Sequence, residues 1–183
     1  MTPSAPAPRM VHVVDDDESL RTALARLLRA AGHEVRTYGS AAEFLLARDG
    51  PLRGVLLLDV RMPGGPGGLE LHQALVRQGE TLPVVFLTGH GDIPMSVRAI
   101  KAGAFDFLTK PVRRDALLAT VELALAKEAA NWETECRQRE LRQRVAKLTP
   151  AEREVFHRVI GGQPNKQIAA EIGCSERTVK AHR

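Results

Sequence analysis

The sequence predicts an α/β protein, a doubly wound five-stranded parallel sheet followed by a small all-α piece, and three observations predict it. Five short apolar runs alternate with segments of helical period, and turn residues follow the runs. The alternation stops near residue 126, and a long stretch without Gly or Pro then leads to three short capped helices. A repeat of strand then helix requires a parallel sheet, because each helix must carry the chain back over one face before the next strand can pair.

The first strand, 10–14, is rich in β-branched valine, and the helix after it, 18–31, places Leu20, Leu24, Leu27 and Leu28 on one face. Strands follow at 34–38, 55–58, 83–87 and 106–108, with helices between them at 41–47, 69–77 and 95–102. A further helix starts near Arg114. From Asp115 to Lys147 there is neither Gly nor Pro, and Ala, Leu, Glu, Gln and Arg dominate, so this helix extends into a long linker. Its apolar residues are dense through Leu125 and thin to Trp132, Leu141, Val145 and Leu148, which makes the second half the more exposed; a frayed polar linker is the alternative. Thr149-Pro150-Ala151-Glu152 reads as a capping box with Pro at the first helical position. Gly161-Gly162 closes that helix, Asn165 is expected to cap a second over 166–172, and Gly173-Cys174-Ser175 turns into a third capped by Ser175. Short helices around a glycine turn suggest helix-turn-helix.

Composition sets outer bounds. The 183 residues are 44% hydrophobic, 26% charged and 4% aromatic, which fits an ordinary globular chain and excludes a repeat array or a large multi-domain enzyme. No apolar run reaches the roughly 20 residues that span a bilayer, and residues 1–9 are Pro- and Ala-rich, so a disordered N-terminus, a cytoplasmic location and no membrane partner are expected. Cys136 and Cys174 have no metal-ligand spacing and are read as free thiols. The net charge of +4 is unevenly spread: residues 10–127 carry 14 basic and 14 acidic residues, and 128–183 carry 11 against 8. A neutral body with a basic tail admits nucleic acid at the C-terminal end.

In an open α/β sheet, ligands bind beyond the carboxyl ends of the strands. After the first strand come Asp15, Asp16 and Asp17; Asp59 ends the third, Thr88 the fourth, and Lys110 lies just past the fifth. Carboxylates gathered at one edge repel one another and call for a cation, and an oxygen-only set selects a hard ion such as Mg²⁺. A carboxylate beside such an ion can attack a phosphoryl group, while an ammonium and a hydroxyl steady its oxygens. Each residue has a plainer reading. The acidic run can be a helix start favoured by the dipole, Asp59 a turn residue, Thr88 a strand end and Lys110 a solvated lysine.

Val13-Val14-Asp15-Asp16-Asp17, Leu57-Leu58-Asp59-Val60-Arg61-Met62-Pro63, Leu87-Thr88-Gly89-His90 and Phe107-Leu108-Thr109-Lys110-Pro111 resemble the receiver domain of two-component response regulators, over about residues 10–127. Leu148-Thr149-Pro150-Ala151-Glu152, Asn165-Lys166-Gln167-Ile168-Ala169 and Ser175-Glu176-Arg177-Thr178-Val179-Lys180-Ala181 resemble the LuxR-type DNA-binding domain. With the stretch 89–95, the whole is most similar to the FixJ branch of the NarL/FixJ regulators. The resemblance implies a flavodoxin-like sheet of order 2-1-3-4-5, a linker helix over 128–147 and a helix-turn-helix piece over 148–183. It implies Asp59 as acceptor of a phosphoryl group from a sensor histidine kinase, with Mg²⁺ held by Asp16, Asp59 and the backbone carbonyl of Arg61, supported by Asp15. Thr88 and Phe107 fall on the family's switch positions, with Lys110 on the phosphoryl group, and a homodimer formed on phosphorylation through 93–102 and the last strand is expected. Promoter DNA would meet Arg177, Thr178, Lys180 and Ala181, with Asn165 and Lys166 near phosphate.

Two departures from the family pattern stand out. The loop Gly64-Gly65-Pro66-Gly67-Gly68 is longer and richer in glycine than usual, from which a loosely held third helix is expected. The LuxR-like match ends at Arg183 within the implied recognition helix, so the chain reads as a C-terminally shortened regulator that binds DNA weakly, with a final piece only partly ordered on its own. Two other function classes compete: a Mg²⁺-dependent phosphohydrolase working through an aspartyl phosphate, and a receiver whose output is protein binding alone. Enzymes of the first kind carry an acid two residues after the nucleophile, where this chain has Arg61.

Overall fold

In the computed structural model the described residues are 10–48, 52–89, 98 and 100–181. In chain order they form β1 (Met10–Val14), α1 (Glu18–Ala30), β2 (Glu34–Tyr38), α2 (Ala41–Leu46), β3 (Val55–Asp59), α3 (Gly68–Arg77), β4 (Val84–Thr88), β5 (Asp106–Thr109), α4 (Arg114–Ala146), α5 (Pro150–Ile160), α6 (Asn165–Ile172) and α7 (Glu176–Ala181). Half of the predicted helix over 95–102 lies outside the described residues, and residues 1–9 lie outside them entirely.

The five strands make one sheet of order β2-β1-β3-β4-β5 with every pair parallel. Successive side chains of the central strands point to opposite faces, and both faces are covered. Val11, Val13, Val55, Leu57, Val85 and Leu87 meet Leu24 and Leu28 of α1 and Leu117, Val121 and Ala124 of α4. Val14, Leu56, Leu58, Val84 and Phe86 meet Phe44 of α2 and Leu69, Leu71 and Leu75 of α3. This two-sided burial is why β3 and β4 read as unbroken apolar runs instead of alternating ones.

Local chemistry fixes the element ends. Asp17 caps α1 by accepting from the N–H groups of Ser19 and Leu20, and Ser40 caps α2 through Glu43 N–H. The predicted capping box of α5 is present in both directions, with Thr149 Oγ1 accepting from Glu152 N–H and the Glu152 carboxylate accepting from Thr149 N–H. The cap predicted at Asn165 is displaced by one position. Pro164, extended at ψ 148°, is the cap residue, and its carbonyl accepts from Gln167 and Ile168 N–H while Asn165 is already helical. The glycine-rich loop also differs from expectation. α3 starts at Gly68, which is buried and donates its N–H to Val60 O at 3.1 Å, so the helix start is seated on the sheet.

The chain divides into two compact units after Trp132, and α4 runs across the division as one 33-residue helix. The second unit has its own apolar cluster of Val155, Ile168, Ala169 and Val179, which joins its three short helices through a shared core. No helix among the described residues is long and apolar enough to cross a membrane.

Candidate functional site

The carboxyl ends of the strands bring the predicted residues together. The strand order reverses direction between β1 and β3, and these two strands deliver Asp15 and Asp59 on either side of that switch point. The register sets Asp59 opposite Leu87, next to Thr88, and Thr88 opposite Thr109, so that Lys110 follows at the same edge. The Lys110 N–H donates to Thr88 O at 2.7 Å across the strand pair, and the Lys110–Pro111 peptide is cis.

Asp15 is fully buried, Asp59 is 6% exposed and Asp16 is open to solvent, and each offers an oxygen within a span of 4.8 Å. Lys110 Nζ lies 2.7 Å from Asp15 Oδ2 and 2.9 Å from Asp59 Oδ2. The remaining oxygens are also engaged: Asp15 Oδ1 accepts from Asp17 N–H at 2.9 Å, and Asp59 Oδ1 from Arg61 N–H at 3.3 Å. Burial pushes the Asp59 carboxyl above its ordinary value, and the negative charge of Asp15 adds to this, while Lys110 and the Arg61 N–H oppose it. Burial alone would lower the Lys110 ammonium, but its bonds to Asp15 and Asp59 outweigh that and raise it. Three carboxylates against one ammonium leave an excess of hard oxygen donors, which fits a divalent ion of the Mg²⁺ kind. The plainer reading of the acidic run as a helix start fits Asp17, whose carboxylate is spent on the cap of α1.

Thr88 is buried, and its hydroxyl donates to the carbonyl of Gly89 at 3.3 Å. Phe107 is 37% exposed, at the surface and not in the core. Residues 93–97, expected to flank it, lie outside the described residues. Two groups at this edge escape a reading of strand ends. Arg21, on the first turns of α1, donates from Nη1 to the carbonyl of Asp15, a placement that the helical wheel from Asp17 onward could have flagged. Gly68 packs directly on the main chain of Asp59, and a Cβ there would lie 2.1 Å from Asp59 O. Nothing in the local sequence marks that approach.

In the second unit, α6 and α7 are joined through Gly173, left-handed at φ 69°, and Ser175 Oγ accepts from Thr178 N–H at 3.1 Å. Val179 faces the core while Arg177, Thr178, Lys180 and Ala181 are exposed, which leaves one face of α7 to solvent. The Thr178 hydroxyl lies 2.9 Å from Ser175 Oγ and so belongs in part to the cap. Lys166 is exposed at the start of α6, and Asn165 beside it is half-buried. Arg158 of α5 bonds both Glu154 and Glu171, fixing α6 against α5.

The sequence pattern of the response regulator receiver domain matches residues 11–122, and that of the luxR family of bacterial regulatory proteins matches residues 146–183. The chain belongs to the response regulators. Among relatives, this response regulator is 41% identical to the response regulator protein TodT of Pseudomonas putida over 95% of its own length and 76% of the relative's. It is 43% identical to the transcriptional regulatory protein FixJ of Azorhizobium caulinodans over 94% of its own length and 82% of that protein's. Among solved structures, the response regulator StyR superposes with a TM-score of 0.85 at 47% identity, covering 97% of this chain and 89% of that one. Full-length FixJ from B. japonicum gives 0.64 at 39% identity over 97% and 87%. The response regulator described here thus joins a receiver to a LuxR-type DNA-binding region, in the manner of two-component transcriptional regulators. Receiver domains bind Mg²⁺ at an acidic pocket, and Asp15, Asp16 and Asp59 form an acidic cluster here.

Proposed function

We propose that Asp59 accepts a phosphoryl group from a sensor histidine kinase and that this acceptance switches a DNA-binding output. The observation that carries the reading is Lys110 Nζ, held within 2.9 Å of both Asp15 and Asp59 by residues 95 and 51 positions away in sequence. An Asp59 carboxylate oxygen attacks the phosphorus, the O–P bond forms as the P–N bond to the kinase histidine breaks, and the histidine leaves with its electron pair. Asp15, Asp16, Asp59 and the carbonyl of Arg61 are the residues that would hold Mg²⁺. When bound, the ion neutralises charge on the phosphoryl oxygens. Lys110 moves from its two carboxylates toward those oxygens, and the Thr88 hydroxyl leaves the Gly89 carbonyl to donate to one of them. Phe107, already at the surface, follows Thr88 as the second switch residue.

The proposed organisation is a receiver over 10–127, a linker helix over 128–147 and a helix-turn-helix region from 148 onward. Arg177, Thr178, Lys180 and Ala181 would face promoter DNA from α7, and Asn165 and Lys166 would touch phosphate from α6. Exposed Ile100 and Phe107 support a homodimer built through 93–102 and the last strand after phosphorylation. The hydrolase reading lacks its general acid, since Arg61 stands in that place. Incubation with acetyl phosphate and Mg²⁺ tests the acceptor: the wild type is labelled and Asp59→Asn is not. Equal labelling of both chains would overturn the assignment, and a sedimentation profile unchanged by beryllofluoride would overturn the dimer.

A further inference from the structure

We infer that Arg53 is a positioning residue that sets the bearing of α4 as it leaves the receiver and transmits the state of the acceptor edge to that helix. The inference rests on the reading of Asp59 as acceptor for its second half only. Arg53 lies just before β3, at the edge of the sheet opposite Asp59, and three contacts converge on it. Its carbonyl accepts from His12 Nε2 at 3.1 Å. Its guanidinium grips the Glu128 carboxylate through Nε, with Nη2 3.4 Å from the second oxygen. The same guanidinium lies 3.8 Å from the centre of the Trp132 ring.

Glu128 and Trp132 are one helical turn apart on α4, so a single planar cation holds two successive positions of one helix face. Glu128 is 5% exposed, and a carboxylate buried to that degree is costly without its partner. Rotation or sliding of this turn would strip Glu128 of its cation and uncover Trp132 together. The turn is therefore tied to one arrangement, because any other leaves the Glu128 carboxylate without its cation.

The contacts continue from Arg53 toward the acceptor edge. A carbonyl only accepts, so His12 donates from Nε2, and the neutral ring then accepts at Nδ1 from the Tyr38 hydroxyl at 3.2 Å. His12 and Tyr38 are both buried and stacked, with Phe44 edge-on to each. The Tyr38 carbonyl in turn accepts from Asp15 N–H at 3.2 Å. An unbroken series of buried and part-buried contacts thus joins Asp15 to Tyr38, His12, Arg53 and the 128–132 turn. Beyond that turn α4 continues to Ala146 without Gly or Pro, so a change of bearing at Trp132 is passed along a regular helix.

Trp132 is the sole tryptophan of the chain, and its fluorescence reports on the contact directly. The full chain is compared with Arg53→Met, with Arg53→Lys, which keeps the cation but not the fork, and with Arg53→Met/Glu128→Leu, which leaves no unpaired carboxylate if the single variant fails to fold. Quenching of Trp132 by acrylamide should rise in the Met variants and be partly restored by Lys. Amide exchange over 133–146 should quicken about tenfold, the factor that corresponds to about 1.4 kcal/mol of local stability. Beryllofluoride with Mg²⁺ should alter exchange at 57–61 in every chain but over 133–146 only where Arg53 is present. Unchanged quenching and exchange in the double variant would overturn the positioning role. A response over 133–146 that survives in the double variant, or is missing from a wild type that responds at 57–61, would overturn the transmission. If beryllofluoride has no effect at 57–61 even in the wild type, the acceptor reading fails instead, and the quenching and basal exchange still decide Arg53.

Discussion

Adding one methyl group at Gly68 should damage both the stability of the receiver and its acceptor chemistry. A Cβ at this position would lie 2.1 Å from Asp59 O, 3.0 Å from the carbonyl carbon and 3.1 Å from Leu58 Cγ. A relaxed carbon–oxygen contact is about 3.3–3.6 Å, so the two main chains must separate by more than about 1 Å. Neither neighbour is a flexible side chain that can swing aside. Overpacking of this kind costs about 1–3 kcal/mol, and stretching the Gly68 N–H bond to Val60 O adds about 0.5–1.5 kcal/mol. For Gly68→Ala a loss of about 1.5–4.5 kcal/mol follows, which at a mid-range urea dependence of about 2 kcal/mol/M lowers the midpoint by about 1–2 M. Trp132 fluorescence in urea follows the transition in the unit that contains it. Gly65→Ala is the control, because no atom lies within 4 Å of its Cβ, and it should stay within about 0.5 kcal/mol of the wild type. Labelling with acetyl phosphate should also slow in Gly68→Ala, since the Asp59 backbone is what the methyl displaces. If Gly68→Ala unfolds at the wild-type midpoint, the close approach of α3 to Asp59 is not a constraint and the reasoning fails.

Three further outcomes are expected. Asp16→Ala should weaken Mg²⁺ binding by about tenfold or more in a metal titration, because it removes the solvent-facing carboxylate of the cluster. Burial lowers the His72 ring below its ordinary value of 6.5, so the unfolded chain takes up that proton first; the neutral-ring contribution is whole above 6.5 and is lost as pH falls from there toward the folded value. His72→Leu should flatten that part of the acid decline, measured as urea midpoints across the range. Thr149→Ala should cost about 0.5–2 kcal/mol of helix stability by opening the capping box of α5, read as an earlier thermal loss of helical circular dichroism.

The strand-end rule located Asp15, Asp59, Thr88 and Lys110 because it needs only the chain direction and the parallel order, both written in the apolar runs. The capping box and Ser175 were legible for a similar reason, as they join residues three apart. Asn165 misled because capping propensity ranks Asn high, while Pro164, whose fixed φ is compatible with an extended cap, took the place. The surface position of Phe107 was not legible, since an aromatic in a strand does not say whether its face is covered. Arg53, Glu128 and Gly68 were not legible at all. Their roles depend on distances across the fold, 75 residues in the case of Arg53 and Glu128, and a surface arginine carries no mark of the carboxylate it will meet.

The continuity of α4 makes its second half thermodynamically dependent on its first. Between Glu133 and Ala146 every residue but Glu135 and Val145 is exposed, so this stretch gains little from burial. An isolated helix of such length is marginal in water because its first turn is unfavourable to form, by a factor of about 10⁻³, while each later residue adds close to nothing either way. The packed turns from Leu117 to Glu128 supply that nucleus ready made. Residues 133–146 therefore grow as an extension of a helix already begun, and melting of the receiver should melt them with it. A protease that cuts this stretch slowly in the intact chain should cut it quickly once the receiver is denatured, even where the three helices beyond Leu148 remain folded.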